Sequence, residues 1–596
     1  MRRYLSIWVV LSALACAVVY MRSTLTLGPV PDAASVHFAY AALAAARGAE
    51  SLPEPPDSAR RYRADPIFVT AYVAGERRAR HVGHGSLADV VLAAARRFAT
   101  DPALPPAIAA TAPGRRDRVM FRVAVTRASG PLLSLIPGLS LFSLVPLRDG
   151  VMAQRAGRTA YLTPDDLVEN AATDQAVIGV VPDLSFGTSL DSVRELLAAE
   201  LGLGQEAPLD SSWQLRRLRV EALAAKTTGE PRGDVQTLRR AAHDGVRFVL
   251  RHQATSGRFT YIYDAARDQE LPGPAYNLAR HAGTMFFLAR AAKQLGLPEA
   301  RAGALRGLSF VRDNALMTCG GPDRLCVDQR DRVEFGASAL MALACAEILR
   351  SGDDPDARRL LTGLVAFLLA QQRPDGEMMH EYSREREAPV DVQRMYYSGE
   401  AAMALLHAYD QLGDASLLRA AARLMSHLTG AGWSFFGARY YYGEEHWTCQ
   451  AVAKAAEHLQ VDAALDFCLR WGRWQEHLQY PAGVTPWPID GAFGVGPVLL
   501  PRATMAASRV EALVPLYREL VRRGRAVAST RVLIERSLGF LLRTRWAPGP
   551  VHLFGNPSAA FGGMPSTGAE LRSRVDMVQH SGGAFLAWAD ALSLGY

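Results

Sequence analysis

The feature that most constrains the fold is a long succession of predicted helices in the chain after residue 231. The hydrophobic periodicity predicts twelve helices there. Their predicted bounds are 234–253, 276–295, 298–317, 334–350, 355–372, 396–411, 414–430, 446–457, 460–474, 503–523, 528–545 and 574–594. The even-numbered helices begin roughly 50 to 70 residues apart, so the repeating unit is a helical hairpin that occurs six times.

The two sets of helices differ in composition. Odd-numbered helices such as 414–430 are amphipathic, with Arg419 and Arg423 on one face. Even-numbered helices carry Gly, Ala and Ser near their starts, for example at positions 336–338 and 581–583. Because small residues let helices approach closely, we predict an inner ring of even-numbered helices inside an outer ring of odd-numbered ones.

Short motifs add a family resemblance. Gln253 is followed by Gly257, and Gln372 by Gly376, at the ends of odd-numbered helices. Similar Gln…Gly turns occur in terpene-cyclase, prenyltransferase and carbohydrate-active toroids. The segment 396–401 (YYSGEA), together with Tyr276 and the residues that follow it, resembles the D-glucuronyl C5-epimerase and six-hairpin glycosidase group. The resemblance implies a mainly α protein whose C-terminal part is an (α/α)6 toroid.

In such a toroid the inner helices are parallel, so the loops that lead into them form one funnel. Helix N-termini favour anionic groups there. The candidate catalytic residues in these loops and helix starts are Tyr276, His281, Tyr397, Glu400, Glu445 and His446. The candidate substrate-binding residues are Arg280, Glu334, Asp391, Arg394, Tyr396, Tyr442, Trp447, Trp487 and Asp490.

These residue types suit an acidic sugar. Aromatic rings stack on sugar faces, and arginine forks bind carboxylates. Tyr, His and Glu supply acid and base groups. The resemblance implies that Tyr397 and Tyr276 would move the C5 proton of a uronate whose carboxylate Arg394 and Arg280 hold.

Each candidate also has a structural interpretation. Glu400, close to a helix start, is a favourable dipole partner in any helix, and His281 can be a hydrogen-bonded core histidine. The grouping of the candidates at one end of the barrel nevertheless predicts a function. The predicted protein is an envelope enzyme that acts on an acidic, uronate-containing polysaccharide by epimerisation, elimination or hydrolysis. The alternative is a non-catalytic glycan- or protein-binding toroid in an envelope assembly.

The N-terminus predicts export. Arg2 and Arg3 precede an apolar run over residues 4–21. Residues 1–22 are expected to form a signal anchor in the inner membrane, with the remaining chain facing the periplasm. The alternatives are a signal peptide cleaved near residues 13–15, which would release the protein, and a lipid anchor at Cys16.

Three further segments follow this N-terminus. Residues 23–60 are rich in Pro and Ala and predict a linker. Residues 61–230 predict an α+β domain, with a helix at 87–99, a strand at 119–126 and a hairpin around Gly157. Thr163 is predicted to cap the helix that follows the hairpin. The toroid occupies residues 231–596.

Composition and motifs exclude several classes. The net charge of +7 is spread along the chain without a basic block after the N-terminus, so no nucleic-acid partner is predicted. Nucleotide-binding glycine motifs and a serine-nucleophile elbow are absent, and no cofactor or metal is predicted. Cys319 and Cys326 flank a tight turn that predicts a disulfide. Cys345, Cys449 and Cys468 are predicted to be buried thiols. The oligomeric state stays open.

Overall fold

The structure is a computed structural model. It describes residues 10–14, 25–48, 50–104, 119–132, 144–173, 188–204, 212–223, 233–271, 276–328, 333–430, 446–481, 489–494, 501–525, 527–547 and 552–596. Most of the predicted membrane segment, residues 4–21, lies outside these ranges. Within them, no helix is both long enough and apolar enough to cross a membrane.

The N-terminal part is built on an antiparallel sheet with the strand order β2-β1-β3-β6-β4-β5. Its strands are β1 (Arg63–Val73), β2 (Glu76–Ser86), β3 (Val119–Pro131), β4 (Asp149–Arg155), β5 (Arg158–Leu162) and β6 (Gln214–Leu223). The accompanying helices are α1 (Ala33–Gly48), α2 (Asp57–Arg61), α3 (Leu87–Ala99), α4 (Pro164–Glu169) and α5 (Leu190–Glu200). The predicted helix at 87–99, the hairpin and the Thr163 cap are confirmed.

One prediction in this part is wrong. Helix α1 lies inside residues 23–60, which were predicted to be a linker. Its Phe38, Ala39 and Leu43 side chains are buried in the same core as β1 and α3. The alanine-rich segment forms a helix because small side chains let it pack closely against α3 while Phe38 and Leu43 supply the apolar contact.

The C-terminal part is a double ring of helices. The inner helices are α7 (Leu278–Leu295), α9 (Phe335–Ser351), α11 (Tyr397–Leu412), α13 (Trp447–Ala455), α15 (Ala503–Arg522) and α18 (Val575–Ser593). The outer helices are α6 (Val235–Arg251), α8 (Pro298–Asn314), α10 (Pro355–Ala370), α12 (Ala415–Gly430), α14 (Asp462–Glu476) and α16 (Ala528–Thr544). A single turn, α17 (Pro557–Ala560), precedes α18.

The inner ring closes on itself. Each inner helix packs against the next one in chain order, and α18 packs against α7. Each outer helix contacts the two inner helices nearest to it. The described helices therefore form the predicted (α/α)6 toroid, and their bounds agree closely with those expected from the sequence.

Repeated Gln…Gly turns tie successive hairpins together. They occur at Gln253 with Gly257, Gln372 with Gly376 and Gln479 with Gly491. The Gln253 carboxamide donates to the carbonyl of Gly257 at 3.1 Å and to that of Gly303 in α8 at 2.9 Å. Gly257 has φ +90°, and a Cβ there would lie 2.0 Å from the Arg306 carbonyl oxygen. Glycine is therefore required by both backbone conformation and close approach.

Two disulfides lie in the toroid. The predicted bridge between Cys319 and Cys326 is confirmed, as is the buried thiol of Cys345. The prediction of buried thiols at Cys449 and Cys468 is wrong, because these residues form a second bridge that joins α13 to α14. Both cysteines face the seam between neighbouring helices, where their Cα atoms are 5.5 Å apart.

The sheet part rests on the loop that leads into α18. Asp165 in α4 accepts hydrogen bonds from Arg122 at 3.0 Å and from His552 at 3.1 Å. Tyr72 and Leu553 share a small buried apolar cluster beside this ion-paired group. The contact fixes the path of the chain before it enters the inner ring.

Candidate functional site

The described candidates at the starts of the inner helices form groups around the barrel. The first group lies between α9 and α11. The Tyr397 hydroxyl donates to Oε2 of Glu334 at 3.1 Å, and Glu400 lies one helical turn further along α11. Glu400 is only 6% exposed. A phenol thus stands beside two carboxylates at the ends of two neighbouring helices.

A glycine of the neighbouring helix makes room for this group. A Cβ on Gly336 in α9 would lie 2.4 Å from the Tyr397 ring and 2.7 Å from Oε2 of Glu400. Neither distance is possible for a real side chain, so any larger residue at position 336 would displace both groups. The small-residue helix start noted in the sequence therefore has a specific role beside the candidate acid and base residues.

The backbone before α11 is also unusual. Tyr396 has φ +77°, a conformation that bulky residues rarely adopt. Its carbonyl accepts from the Glu400 amide at 2.8 Å. Strain of this kind persists where the surrounding structure holds it, and it often marks functional sites. It sets the direction in which Tyr397 enters the barrel.

Electrostatics define what Tyr397 can do. Burial, together with the Glu334 and Glu400 carboxylates, raises the pKa of Tyr397 far above that of an ordinary tyrosine. The phenol therefore stays protonated at neutral pH and can donate a proton or a hydrogen bond. The base in this group has to be a carboxylate, and Glu334 already accepts the phenolic proton in a hydrogen bond.

Two candidate binding residues lie in the loop before α11. Arg394 is exposed and pairs with Glu381, while its amide donates to Nδ1 of His380 at 2.6 Å. Asp391 is exposed and pairs with Arg373 at 3.1 Å. The positive charge of Arg394 partly opposes the upward shift of the Tyr397 pKa, so this arginine lies within electrostatic reach of the acid–base group.

A second group joins three helices. His580 in α18 contacts Oε2 of Glu511 in α15 through Nδ1 at 2.7 Å. His446 directly precedes α13. The centre of its ring lies 5.5 Å from the centre of the His580 ring and 6.1 Å from that of the Tyr396 ring. Burial opposes the protonation of His580, but the Glu511 carboxylate outweighs it and raises its pKa.

A third group is cationic. Arg280 in α7 pairs with Asp576 in α18 at 3.1 Å, and Arg574 pairs with the same carboxylate at 2.6 Å. Burial opposes ionisation of Asp576, but the two guanidinium groups hold its pKa below the usual range. Two arginines around one carboxylate leave a net positive charge beside the inner-helix starts.

Tyr276 and His281 are placed differently. The Tyr276 hydroxyl bonds to Nδ1 of His281 at 2.6 Å, and the Phe259 amide donates to that hydroxyl at 3.1 Å. Nε2 of His281 donates to the Gly307 carbonyl in outer helix α8 at 2.9 Å. These bonds connect the two rings of helices, which is the core-histidine interpretation. Burial lowers the pKa of His281 to about 4.

The remaining candidates are scattered. Trp447 is buried among apolar side chains, so its ring is not open to a sugar. Asp490 belongs to the third Gln…Gly turn and pairs with Arg536 of outer helix α16 at 3.1 Å. Tyr442, Glu445 and Trp487 lie outside the described residues.

Sequence reasoning missed Glu511 as a candidate and left His580 and Asp576 without a role. Glu511 stands in the middle of α15, away from the helix start, and is only 7% exposed. The available signal was a carboxylate between apolar residues, Val510 and Ala512, in the middle of an inner helix. Its importance depends on the neighbouring helix, which the sequence around Glu511 does not specify.

Neither protein-family models nor curated proteins match the sequence. Solved structures of similar architecture include a D-mannose isomerase, with 12% identity and a TM-score of 0.48, covering 61% of this chain and 100% of that one. A cellobiose 2-epimerase from Bacillus thermoamylovorans B4167 has 11% identity and a TM-score of 0.44, with coverages of 60% and 100%. The GH76A α-1,6-mannanase of Salegentibacter sp. HEL1_6 has 13% identity and a TM-score of 0.39, with coverages of 60% and 99%.

Proposed function

We propose that this protein is a carbohydrate-active enzyme that acts on an acidic, uronate-containing polysaccharide at the inner-helix starts. The observation that carries the proposal is the hydrogen bond from Tyr397 to Glu334 beside the buried carboxylate of Glu400. A proton donor and a base are thereby held on rigid helix ends. The net positive Arg280–Asp576–Arg574 group supplies an attraction for an anionic sugar.

Epimerisation and elimination share a first step that suits this group. Glu334 would remove the C5 proton next to the uronate carboxylate, and Arg394 would neutralise the charge that develops there. In epimerisation, a proton from water returns to C5 from the opposite face, and Glu334 releases the proton that it removed to water. In elimination, the C4–O bond breaks, a C4–C5 double bond forms, and Tyr397 protonates the leaving oxygen. Hydrolysis would instead use Glu334 and Glu400 as the carboxylate pair.

The test compares one polysaccharide in two forms. Purified protein is incubated in heavy water with a uronate-containing polysaccharide and with the same polymer after reduction of its carboxyl groups. Deuterium at C5 indicates epimerisation, an unsaturated uronate indicates elimination, and new reducing ends without an unsaturated uronate indicate hydrolysis. Turnover of the acidic form alone is expected. Binding without turnover would favour the non-catalytic alternative, and equal turnover of both forms would contradict the acidic substrate.

We also propose that the chain is anchored in the inner membrane and faces the periplasm. Two disulfides support an oxidising compartment. A periplasm-specific reporter fused after Tyr596 should be active, and the protein should sediment with membranes. Reporter activity confined to the cytoplasm would contradict this location.

A further inference from the structure

Three potential metal ligands meet between α13, α15 and α18. The donor atoms of His446, Glu511 and His580 all lie within 4.8 Å of one another. Two of these helix pairs, α13 with α15 and α15 with α18, are direct neighbours in the inner ring. Glu511 and His580 are therefore held within packed helices, and His446 directly precedes the first residue of α13, which favours a defined coordination geometry.

The donor set suits a divalent transition metal. Two imidazoles and one carboxylate are the protein ligands of many catalytic zinc sites, with metal–ligand distances of about 2.0–2.2 Å. Donor atoms that share one ion are then roughly 3 to 3.5 Å apart. The separation of Nδ1 of His580 from Oε2 of Glu511 is already 2.7 Å. The other donor pairs are at most 4.8 Å apart, so side-chain shifts of only about 1 Å would bring them to the separation that one shared ion requires.

A glycine in α18 makes space for the carboxylate. A Cβ on Gly583 would lie 2.1 Å from Oε1 of Glu511. The carboxylate thus occupies the space that a side chain at position 583 would fill, one turn from His580. His446 and Glu511 are 4% and 7% exposed, so these two ligands are buried within the barrel, and His580 is partly buried.

One of the three ligand residues, Glu511, also lines a cavity. A cavity of about 390 Å³ along the barrel axis is lined by residues of all six inner helices, including Glu511 and Gln450. The cavity lies towards the C-terminal ends of the inner helices, where Gln294, Asp410 and Arg522 line it. An ion bound at the three residues would thus have room on its Glu511 side for a water molecule or a substrate oxygen as a further ligand.

A second group of similar composition provides a control. Asp410, Glu457 and His458 also bring three donors together, but they are exposed. The ammonium group of Lys454 lies 2.6 Å from Asp410 and 2.5 Å from Glu457. A lysine already supplies the positive charge there, so no metal is expected at this position.

We propose that His446, Glu511 and His580 form a binding site for one divalent transition-metal ion of the Zn²⁺ type. The proposal goes beyond the function proposed above, because metal binding at this site requires no particular substrate. No metal site was predicted from the sequence, since the three ligands come from three separate helices.

The test titrates the metal-free full-length protein with Zn²⁺ by calorimetry and with Co²⁺ by visible absorption. One ion per chain should bind, with Co²⁺ bands typical of mixed nitrogen and oxygen ligands. His446→Ala, His580→Ala and Glu511→Gln should each weaken binding by at least about a hundredfold. Gly583→Ala should weaken it by about tenfold or more. The control His458→Ala should leave the affinity within about twofold of the unchanged protein.

Binding that is absent, or that survives all of the ligand substitutions, would overturn the proposal. Equal loss of affinity in His458→Ala would also overturn it. Circular dichroism checks that each variant is folded, and Glu511→Gln, which keeps the side-chain shape, decides the matter if a histidine variant unfolds. Because these readouts need no substrate, they can fail while the proposed enzymatic activity holds, and the reverse is equally measurable.

Discussion

The Tyr397 hydroxyl donates a 3.1 Å hydrogen bond to Glu334, linking the first residue of α11 to the residue that precedes α9. The two residues are 63 positions apart in the chain. Their contact depends on the close approach of two inner helices, which Gly336 allows. Packing of the toroid and chemistry at its helix starts are therefore coupled at this position.

Substitution of Gly336 tests that coupling. In Gly336→Ala, the new methyl group would overlap the Tyr397 ring and the Glu400 carboxylate. We expect a destabilisation of about 1–3 kcal/mol and a loss of activity of at least about tenfold per folded molecule. Thermal melting and turnover are measured on the same preparation.

The matched control is Gly472→Ala in outer helix α14. A Cβ at Gly472 would meet its nearest neighbour, Leu513, at 3.6 Å, which is an ordinary contact. Both stability and activity should stay close to those of the unchanged protein. Full activity in a folded Gly336→Ala variant would mean that the acid–base group tolerates displacement and does not need this geometry.

The Gln…Gly turns should be sensitive to a methyl group. Gly257→Ala would place its Cβ 2.0 Å from the Arg306 carbonyl, whereas Gly296 has a comparable positive φ and open space around it. Both variants incur backbone strain, but only Gly257→Ala adds a collision. We expect Gly257→Ala to be less stable than Gly296→Ala by about 1–3 kcal/mol in denaturant titrations. Equal losses would show that the close approach contributes nothing.

The helices and the first group of site residues show how much of the structure could be predicted from the sequence. The predicted helix 414–430 differs from the observed Ala415–Gly430 by one residue, because long amphipathic patterns specify helices locally. Tyr397 and Glu400 were likewise visible within one segment. Glu334 was predicted as a site residue, but its hydrogen bond to Tyr397 was not, because Tyr397 lies in a different inner helix. Glu511 was missed since its role depends on a residue in another helix.

The cysteines show the same limit. Cys319 and Cys326 are joined across a turn that can be read from the sequence. Cys449 and Cys468 lie in two apolar helical patterns, where a buried thiol and half of a bridge look alike. Only the packing of α13 against α14 brings them together.

Removal of the second disulfide should be the more destabilising of the two. Its cysteines are 19 residues apart, whereas Cys319 and Cys326 are 7 apart. Cross-linking entropy predicts a loss of about 3 kcal/mol for Cys449→Ser with Cys468→Ser, and about 1 kcal/mol less for the shorter loop. Denaturant titration of the two double variants measures the order, and non-reducing peptide mapping verifies the pairing. The reverse order would contradict the loop-entropy explanation.

Acid should destabilise the toroid partly through His281. Burial lowers its pKa in the folded protein to about 4, below the value of about 6.5 expected in the unfolded chain. The unfolded state therefore takes up the proton first, and stability falls as the pH decreases from about 6.5 towards 4. By pH 5 this histidine alone should account for a loss of about 2 kcal/mol.

Melting temperatures at several pH values test this dependence. His281→Gln removes the titrating group, so its stability should fall less steeply between pH 7 and pH 5, even if the variant is less stable at neutral pH. His477→Gln, at an exposed position, should keep the slope of the unchanged protein. Identical slopes in all three proteins would rule out a contribution from His281.

The most direct measurement of the proposed activity is turnover of an acidic polysaccharide by folded Tyr397→Phe and Glu334→Gln variants. Loss of an acid–base group should reduce turnover by about two to four orders of magnitude. The free energy of unfolding should change by only about 0.5–1.5 kcal/mol, the range for one hydrogen bond. The losses should be non-additive in the double variant if both residues act in one step. Full turnover by both folded variants would contradict a catalytic role for this group.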